Sequence, residues 1–216
     1  MTELDDDEDD PRTDEARSLA SAGDLAGAAA LLGRVVADRP DDAEAQRDLG
    51  LVLRASGDLE GARAALARAV ELDDEDASTR QILARVLEGL GRVDEAVFQL
   101  VRAASIDPDD ASVAHDLGVA FYKRGRHAKA IEALARAGSL RPDARTSYAL
   151  GLAHEGARDM ASAIAAHRDA VARDPRFVDA HLALADALAG LGEHGEAIEV
   201  YDQLLRIDRT NAQAAH

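Results

Sequence analysis

Apolar residues recur along the chain at helical spacing, in short blocks separated by polar turns. In one such block Leu49 and Leu53 lie four residues apart, and Leu66, Ala69 and Val70 follow beyond Gly57. This spacing puts the apolar side chains on one face of a helix. A glycine such as Gly57 permits the positive φ with which a first helix can end. The pattern predicts two amphipathic helices of about 12 to 14 residues joined by a glycine turn.

The block recurs with a period close to 34 residues, marked by two columns of small residues, a column of turn glycines and a column of prolines. A small residue, usually after a leucine, is followed twelve positions later by an alanine in every repeat. Each repeat is therefore predicted to form a helix, a glycine turn, a second helix and a Pro-Asp turn. The columns are Ala16, Gly50, Ala84, Gly118, Gly151 and Ala185; Ala28, Ala62, Ala96, Ala130, Ala163 and Ala197; Gly23, Gly57, Gly91, Gly125 and Gly192; and Pro40, Pro108, Pro142 and Pro175.

The period and the residue order Leu-Gly, Tyr or Leu, Ala, aromatic or Leu, Ala and Pro resemble the tetratricopeptide repeat (TPR) family. The chain departs from the pattern in having no Trp, in Glu15 where other repeats have Leu, and in Asp74 and Arg209 where others have Pro. The resemblance implies an all-α fold, a right-handed α-solenoid of helix-turn-helix units whose first helices line a concave groove. Six units are indicated, at residues 9–42, 43–76, 77–110, 111–143, 144–177 and 178–211.

The amino-acid composition is consistent with helices that pack through small residues. The 216 residues are 47% hydrophobic and 3% aromatic, and the lack of cysteine excludes disulfides, thiol catalysis and cysteine metal sites. No apolar stretch approaches the roughly 18 residues of a membrane-spanning helix, and the N-terminus has no signal-peptide pattern. We therefore expect a cytoplasmic protein without membrane insertion. The excess of Arg and Ala suggests a bacterial source.

The chain is acidic, with a net charge of -17 that includes seven acidic residues in the first ten. Such a charge repels phosphate, so we expect no nucleic-acid partner. Residues 1–10 are predicted to be a disordered acidic tail, which either keeps the protein soluble or competes for a basic groove. The other Asp pairs, such as Asp41-Asp42 and Asp109-Asp110, are interpreted as helix N-caps.

No pattern of catalytic residues emerges. The chain has no phosphate loop, no nucleophile elbow and no His-Glu-x-x-His, and its histidines never share a helical face at metal-ligand spacing. We therefore predict no enzyme activity, no metal and no cofactor. His154 and His167 occupy core columns of one repeat. They are interpreted as partly buried imidazoles satisfied by neighbours, or as a pH- or metal-responsive weak point.

The TPR resemblance places function in the groove and implies which positions face it. The leading hypothesis is a non-enzymatic adaptor or scaffold that binds a protein or peptide segment, acidic or carrying aromatic anchors. The implied groove residues are Arg47, Leu51, Arg54, Gln81, Arg85, His115, Val119, Tyr122, Lys123, Arg145, Tyr148 and Leu152.

The alternative hypothesis is a structural protein that oligomerises through its end faces or its groove. After the last repeat only residues 212–216 follow, without a full capping helix. Solenoids need a polar cap over their last apolar face. We therefore expect the second helix of the sixth repeat, with Ile198, Tyr201, Leu204, Leu205 and Ile207, to stay partly uncovered and to support a homo-oligomer.

Overall fold

The computed structural model describes residues 10–214, with side chains as far as Arg206. These residues form twelve α-helices and no β-strand, so the predicted all-α class of repeated helix pairs is confirmed. Of the predicted acidic tail, residues 1–10, only Asp10 lies among the described residues. In the predicted end segment, residues 212–216, the last helix continues to Ala214 and the final two residues lie outside the description.

The helices divide between two compact units, an N-terminal unit, Met1–Pro108, and a C-terminal unit, Asp109–His216. Within each unit every helix packs against the helix that follows it, and the first helices of several neighbouring pairs also touch. The N-terminal unit contains α1 (Pro11–Ser21), α2 (Leu25–Asp38), α3 (Ala43–Ser56), α4 (Leu59–Leu72), α5 (Ala77–Gly89) and α6 (Val93–Ile106). The C-terminal unit contains α7 (Ala111–Lys123), α8 (His127–Leu140), α9 (Ala144–Gly156), α10 (Met160–Arg173), α11 (Val178–Gly190) and α12 (His194–Ala214). No helix in the described part of the chain is long and apolar enough to cross a membrane.

Aspartate side chains begin most of the helices. The Asp42 carboxylate accepts a hydrogen bond from the backbone N–H of Ala45, and that of Asp110 accepts from Ser112 and Val113. These bonds satisfy donors that the first turn leaves unpaired, and the negative charge stabilises the positive end of the helix dipole. Equivalent caps begin α1, α2, α4, α5, α9 and α10, so eight aspartates, Asp42 and Asp110 among them, act as helix caps.

The small-residue columns bring the two helices of a pair together. Gly50 faces Leu66 and Gly118 faces Leu134 so closely that a Cβ on either glycine would collide with the leucine side chain. The alanines of the second column are almost completely buried. The leucines Leu32, Leu66, Leu100 and Leu134 of the second helices are fully buried, so each of the first four pairs has a dense apolar contact at this level.

A further contact between repeats was not predicted from the sequence. The buried guanidinium of Arg80 donates to the backbone carbonyl of Asp74, with N···O distances of 3.1 and 2.8 Å. In the C-terminal unit, His181 Nε2 lies 3.1 Å from the carbonyl oxygen of Pro175, at the same position of its own repeat. Both side chains supply a donor to a loop carbonyl that no helix satisfies.

The pair α9–α10 places a histidine where the first four pairs have a buried leucine. His167 has no exposed surface, and its ring lies against Gly151. Its Nε2 lies 3.1 Å from Glu155 Oε1, and since a carboxylate only accepts, Nε2 carries the proton and the buried Nδ1 is left without a partner. Burial lowers the pKa of His167 below its ordinary value of 6.5, although Glu155 opposes the shift.

His154, the other histidine at a core column, is less buried. Its side chain keeps 17% of its surface exposed, and Nδ1 lies 3.4 Å from Asp159 Oδ2 without the geometry of a hydrogen bond. Of the two, only His167 is fully enclosed. The interpretation of two imidazoles satisfied by their neighbours is wrong at Nδ1 of both rings, because neither atom has a hydrogen-bond partner.

The first prediction concerns the turn between α9 and α10, where a residue other than glycine has a positive φ. The glycines at 23, 57, 91, 125 and 192 have φ between +67° and +88°, whereas the α9–α10 turn uses Arg158 at φ +63°. A side chain in this region costs about 1–2 kcal/mol. We expect Arg158→Gly to raise the free energy of unfolding in urea by about 0.5–1 kcal/mol, after the greater entropy of unfolded glycine is subtracted. The control Ala157→Gly, at φ -80°, should lower it. Equal effects of the two variants would contradict the assignment of strain.

His167 generates the second prediction. Because its folded pKa is lowered, the unfolded chain binds a proton first, so the stability present above about pH 6.5 should decline as the pH falls toward the folded pKa. His167→Leu should raise the free energy of unfolding by about 1–3 kcal/mol by removing the unpaired Nδ1, and should flatten the acid limb. Melting curves recorded across this range check both effects. His194→Leu, at an exposed position, is the control and should leave the acid limb unchanged. An unaltered limb in His167→Leu would refute the mechanism.

Candidate functional site

The C-terminal unit contains a pocket of about 520 Å³ between its first helices. Helices α7 and α9 form its two walls, and the loop before α11 closes one end. Its size falls within the roughly 300–1,000 Å³ of typical ligand pockets. The lining residues are His115, Val119, Tyr122, Lys123, Leu134, Arg145, Tyr148, Ala149, Leu152, Phe177 and Asp179.

Aromatic rings form much of the wall. The ring of Tyr148 meets Phe177 edge to face, with centroids 5.1 Å apart, and lies 5.6 Å from the buried ring of His167. Burial and the neighbouring Asp179 and Glu155 carboxylates raise the pKa of Tyr148. The phenol therefore stays protonated at neutral pH and can donate a hydrogen bond from an otherwise apolar surface.

His115 is held in the pocket by a chain of hydrogen bonds. The hydroxyl of the buried Thr146 donates to Asp143 Oδ2 at 2.7 Å, and His115 Nδ1 lies 3.0 Å from that hydroxyl oxygen. Since the hydroxyl proton is already used, His115 donates from Nδ1, and Nε2 of the neutral ring is left as an acceptor. Burial disfavours the Asp143 carboxylate, but the hydrogen bonds from Thr146 outweigh it and lower the pKa of Asp143.

Charged side chains surround the mouth of the pocket. Lys123 and Arg145 are exposed cations among the lining residues, and Asp179 is the acidic lining residue. Arg145 can bind a carboxylate through two parallel hydrogen bonds, whereas Lys123 acts as a point charge. The arrangement can therefore hold an apolar or aromatic side chain inside the pocket and a carboxylate at its mouth.

The five predicted groove residues of the N-terminal unit do not join this pocket. Arg47 lies in a smaller polar cavity of about 290 Å³, with its guanidinium 3.3 Å from Glu44, 3.8 Å from Asp48 and 3.8 Å from Asp76. The other four lie on α3 and α5 and differ in solvent exposure: Leu51 is half-buried, Gln81 is buried, and Arg54 and Arg85 are exposed.

Seven of the predicted residues come together in the pocket, and Asp179, which holds the same repeat position as Arg145, joins them. Leu134, Ala149 and Phe177 were not predicted to line it. Leu134 lies in a core column of the repeat, and Ala149 directly follows the predicted groove residue Tyr148. Phe177 carried a usable signal, because it occupies the helix N-cap column held by Asp42, Asp76, Asp110 and Asp143 in other repeats. An aromatic residue in a capping column does not cap the helix and is free to line a pocket.

No group of three His, Asp or Glu side chains within residues 10–206 is arranged to hold a metal ion. The convergent groups of the pocket are instead aromatic rings, one oriented imidazole and two cations. They suit recognition of a ligand by contact, hydrogen bonding and charge.

Several solved structures share this fold. A crystal structure of MamA is 26% identical, with a TM-score of 0.73, over 76% of this chain and 97% of the MamA chain. MamA 41-end from Desulfovibrio magneticus RS-1 is 23% identical, with a TM-score of 0.74, over 78% and 96% of the two chains. YrrB, described as "a TPR protein with an unusual peptide-binding site", is 20% identical, with a TM-score of 0.70, over 86% and 96%. At their identities the last two show the fold alone.

Models of protein-family sequences also match this chain. Two models of the tetratricopeptide repeat match, one at residues 13–78 and 148–212 and the other at residues 87–154. Comparison with curated proteins gives no significant match. The matched regions cover most of the chain and agree with its paired helices, glycine turns and small-residue columns. The chain belongs to the tetratricopeptide repeat family.

Proposed function

We propose that the protein is a non-enzymatic adaptor that binds a segment of another protein in the pocket of its C-terminal unit. One observation carries the proposal: seven groove positions implied by the repeat pattern line a single cavity together with Phe177. The proposed location is the cytoplasm, on sequence grounds alone.

The chemistry of the pocket supports a short peptide as the ligand. An extended segment gains affinity from one or a few anchor side chains in well-packed pockets, and Tyr and Arg are the residues most often found at such points. Tyr122, Tyr148 and Phe177 offer surfaces for an apolar or aromatic anchor. His115 Nε2 and the Tyr148 hydroxyl can pair with polar groups of the segment, and Lys123 and Arg145 with its carboxylates.

The third prediction tests the pocket. Peptides are selected from a random library on the immobilised protein, and their binding kinetics are measured on purified variants. We expect Tyr148→Ala to weaken the selected peptides by about thirtyfold, mostly through the off-rate, because it removes an anchor contact of about 2 kcal/mol. Arg145→Glu, at the exposed mouth, should instead lower the on-rate and its salt dependence.

The matched control for Tyr148→Ala is Tyr201→Ala. Tyr201 donates to Asp186 from α12 and does not line the pocket. This variant should bind the selected peptides like the wild type, and circular dichroism should show that all variants keep their helices. Peptides that bind Tyr148→Ala and Arg145→Glu as tightly as the wild type would refute the pocket assignment.

A second candidate, self-association, is favoured by one observation on α12. Ile198 and Leu205 lie on this helix with 60% and 54% of their surfaces exposed, two turns apart on one face. If this apolar face binds another copy, light scattering should show a mass that rises with concentration, and Ile198→Glu/Leu205→Glu should abolish the rise. A mass that stays monomeric at high concentration would exclude this candidate.

A further inference from the structure

The segment from the last residue of α7 through the first residues of α8, residues 123–129, is an unusual stretch of an acidic chain. It contains Lys123, Arg124, Arg126, His127 and Lys129, and these two lysines are the only ones in the protein. The 15 residues from Leu117 to Ile131 include no acidic residue, although 42 Asp and Glu are present in the chain. We call residues 123–129 the basic turn.

The cations of the basic turn are displayed at the surface. Lys123, Arg124, Arg126 and Lys129 are all exposed, and the Lys129 ammonium lies 5.6 Å from the centre of the Phe121 ring. Residues Gly125 to Lys129 line an open concavity of about 420 Å³. A local concentration of positive charge of this kind attracts a negatively charged partner even when the whole protein is acidic.

The basic turn adjoins the aromatic pocket. Tyr122 lines the pocket and packs against His127, which lines the concavity of the turn, with ring centroids 5.8 Å apart. Lys123 belongs both to the basic turn and to the mouth of the pocket. The two concavities are therefore neighbours on one surface, separated by the Tyr122–His127 contact.

We propose that the basic turn and the pocket together bind an extended acidic segment of a partner protein. An apolar or aromatic side chain of the segment enters the pocket, and a run of carboxylates next to it lies along the basic turn. The assignment deepens the proposed function and rests on it. Two features of this surface identify the ligand. A ligand with acidic groups alone would leave the apolar pocket empty, so the segment must also carry an apolar or aromatic side chain. The cations of the basic turn are complementary to a run of acidic residues next to that side chain.

The probe is a fluorescent synthetic peptide with one phenylalanine followed by a run of glutamates, and its comparison peptide has glutamines in place of the glutamates. Binding to the full-length protein is followed by fluorescence anisotropy at several salt concentrations. We expect the acidic peptide to bind at least tenfold more tightly than the glutamine peptide at low salt, and the difference to shrink as salt screens the charges. A single-stranded oligonucleotide is the third probe and should bind more weakly than the acidic peptide.

The test variant is Arg126→Glu/Lys129→Glu. Arg126 makes no side-chain cap on α8, and both positions are at the start of this helix. Glutamate there stabilises the helix dipole, which offsets the loss of the contact between Lys129 and Phe121, so the variant should keep the wild-type fold. We expect it to weaken the acidic peptide by about tenfold and to lower the salt dependence, because two weak ion contacts become repulsive. Arg126→Lys/Lys129→Arg should restore binding.

The control is Arg34→Glu/Arg102→Glu, which changes the net charge equally at two exposed positions of the N-terminal unit. It should change the affinity by less than about twofold. Two results overturn the role of the basic turn. In the first, the acidic peptide binds the test variant as tightly as it binds this control. In the second, the wild type binds the acidic peptide no more tightly than the glutamine peptide. Tighter binding of the oligonucleotide also overturns it.

Failure of this inference can be told apart from failure of the proposed function. If the basic turn is not a contact surface but the pocket is, Tyr148→Ala still weakens library-selected peptides while the test variant does not. If neither variant affects any selected peptide, both assignments fall.

Discussion

The close approach of two helices within each pair is the contact on which the structure depends. It requires a small residue on the first helix opposite a large buried side chain on the second, as in Gly50 with Leu66 and Gly118 with Leu134. Added atoms at the glycine would meet the leucine directly, and a smaller partner would leave a cavity. Since this contact fixes how the first helix rests on the second, it also fixes which side chains of the first helix remain available for binding. His167 keeps the geometry against Gly151 but buries an unpaired nitrogen.

The first helices of the two units use their available surface differently. In the N-terminal unit, Arg17 reaches from α1 to Glu44 and Asp48 of α3, and Arg47 reaches from α3 to Asp76 before α5. These cations already have carboxylate partners, so a ligand would have to compete with them. In the C-terminal unit the corresponding region carries Tyr122, Tyr148 and Phe177, whose rings leave an open apolar pocket. The same repeat geometry thus gives an ion-paired face in one unit and a pocket in the other.

The net charge of the chain does not describe the local charge on its surface. Many of its carboxylates are engaged as helix caps or in ion pairs, as Asp42, Asp110 and Asp143 illustrate. Both lysines of the chain lie in the basic turn beside the pocket. Because salt screens surface charges beyond about 10 Å, a partner at that turn experiences the nearby cations more strongly than the distant acids. The net charge of the whole chain is therefore a poor guide to the electrostatic field close to this turn.

The sequence by itself determined the class of fold, because a fixed period of small residues, turn glycines and prolines admits one way of pairing helices. It also determined the capping aspartates and the positive-φ turns, which depend on local backbone geometry. The tertiary structure decided which of the predicted groove positions line a common cavity. Arg47 and Tyr148 both sit at predicted groove positions, yet Arg47 is paired with acids from neighbouring helices and Tyr148 lines a cavity. Phe177 lines that cavity although it precedes its helix. These outcomes depend on residues about 30 positions apart that meet only when the helices pack, and a pattern within one repeat does not contain them.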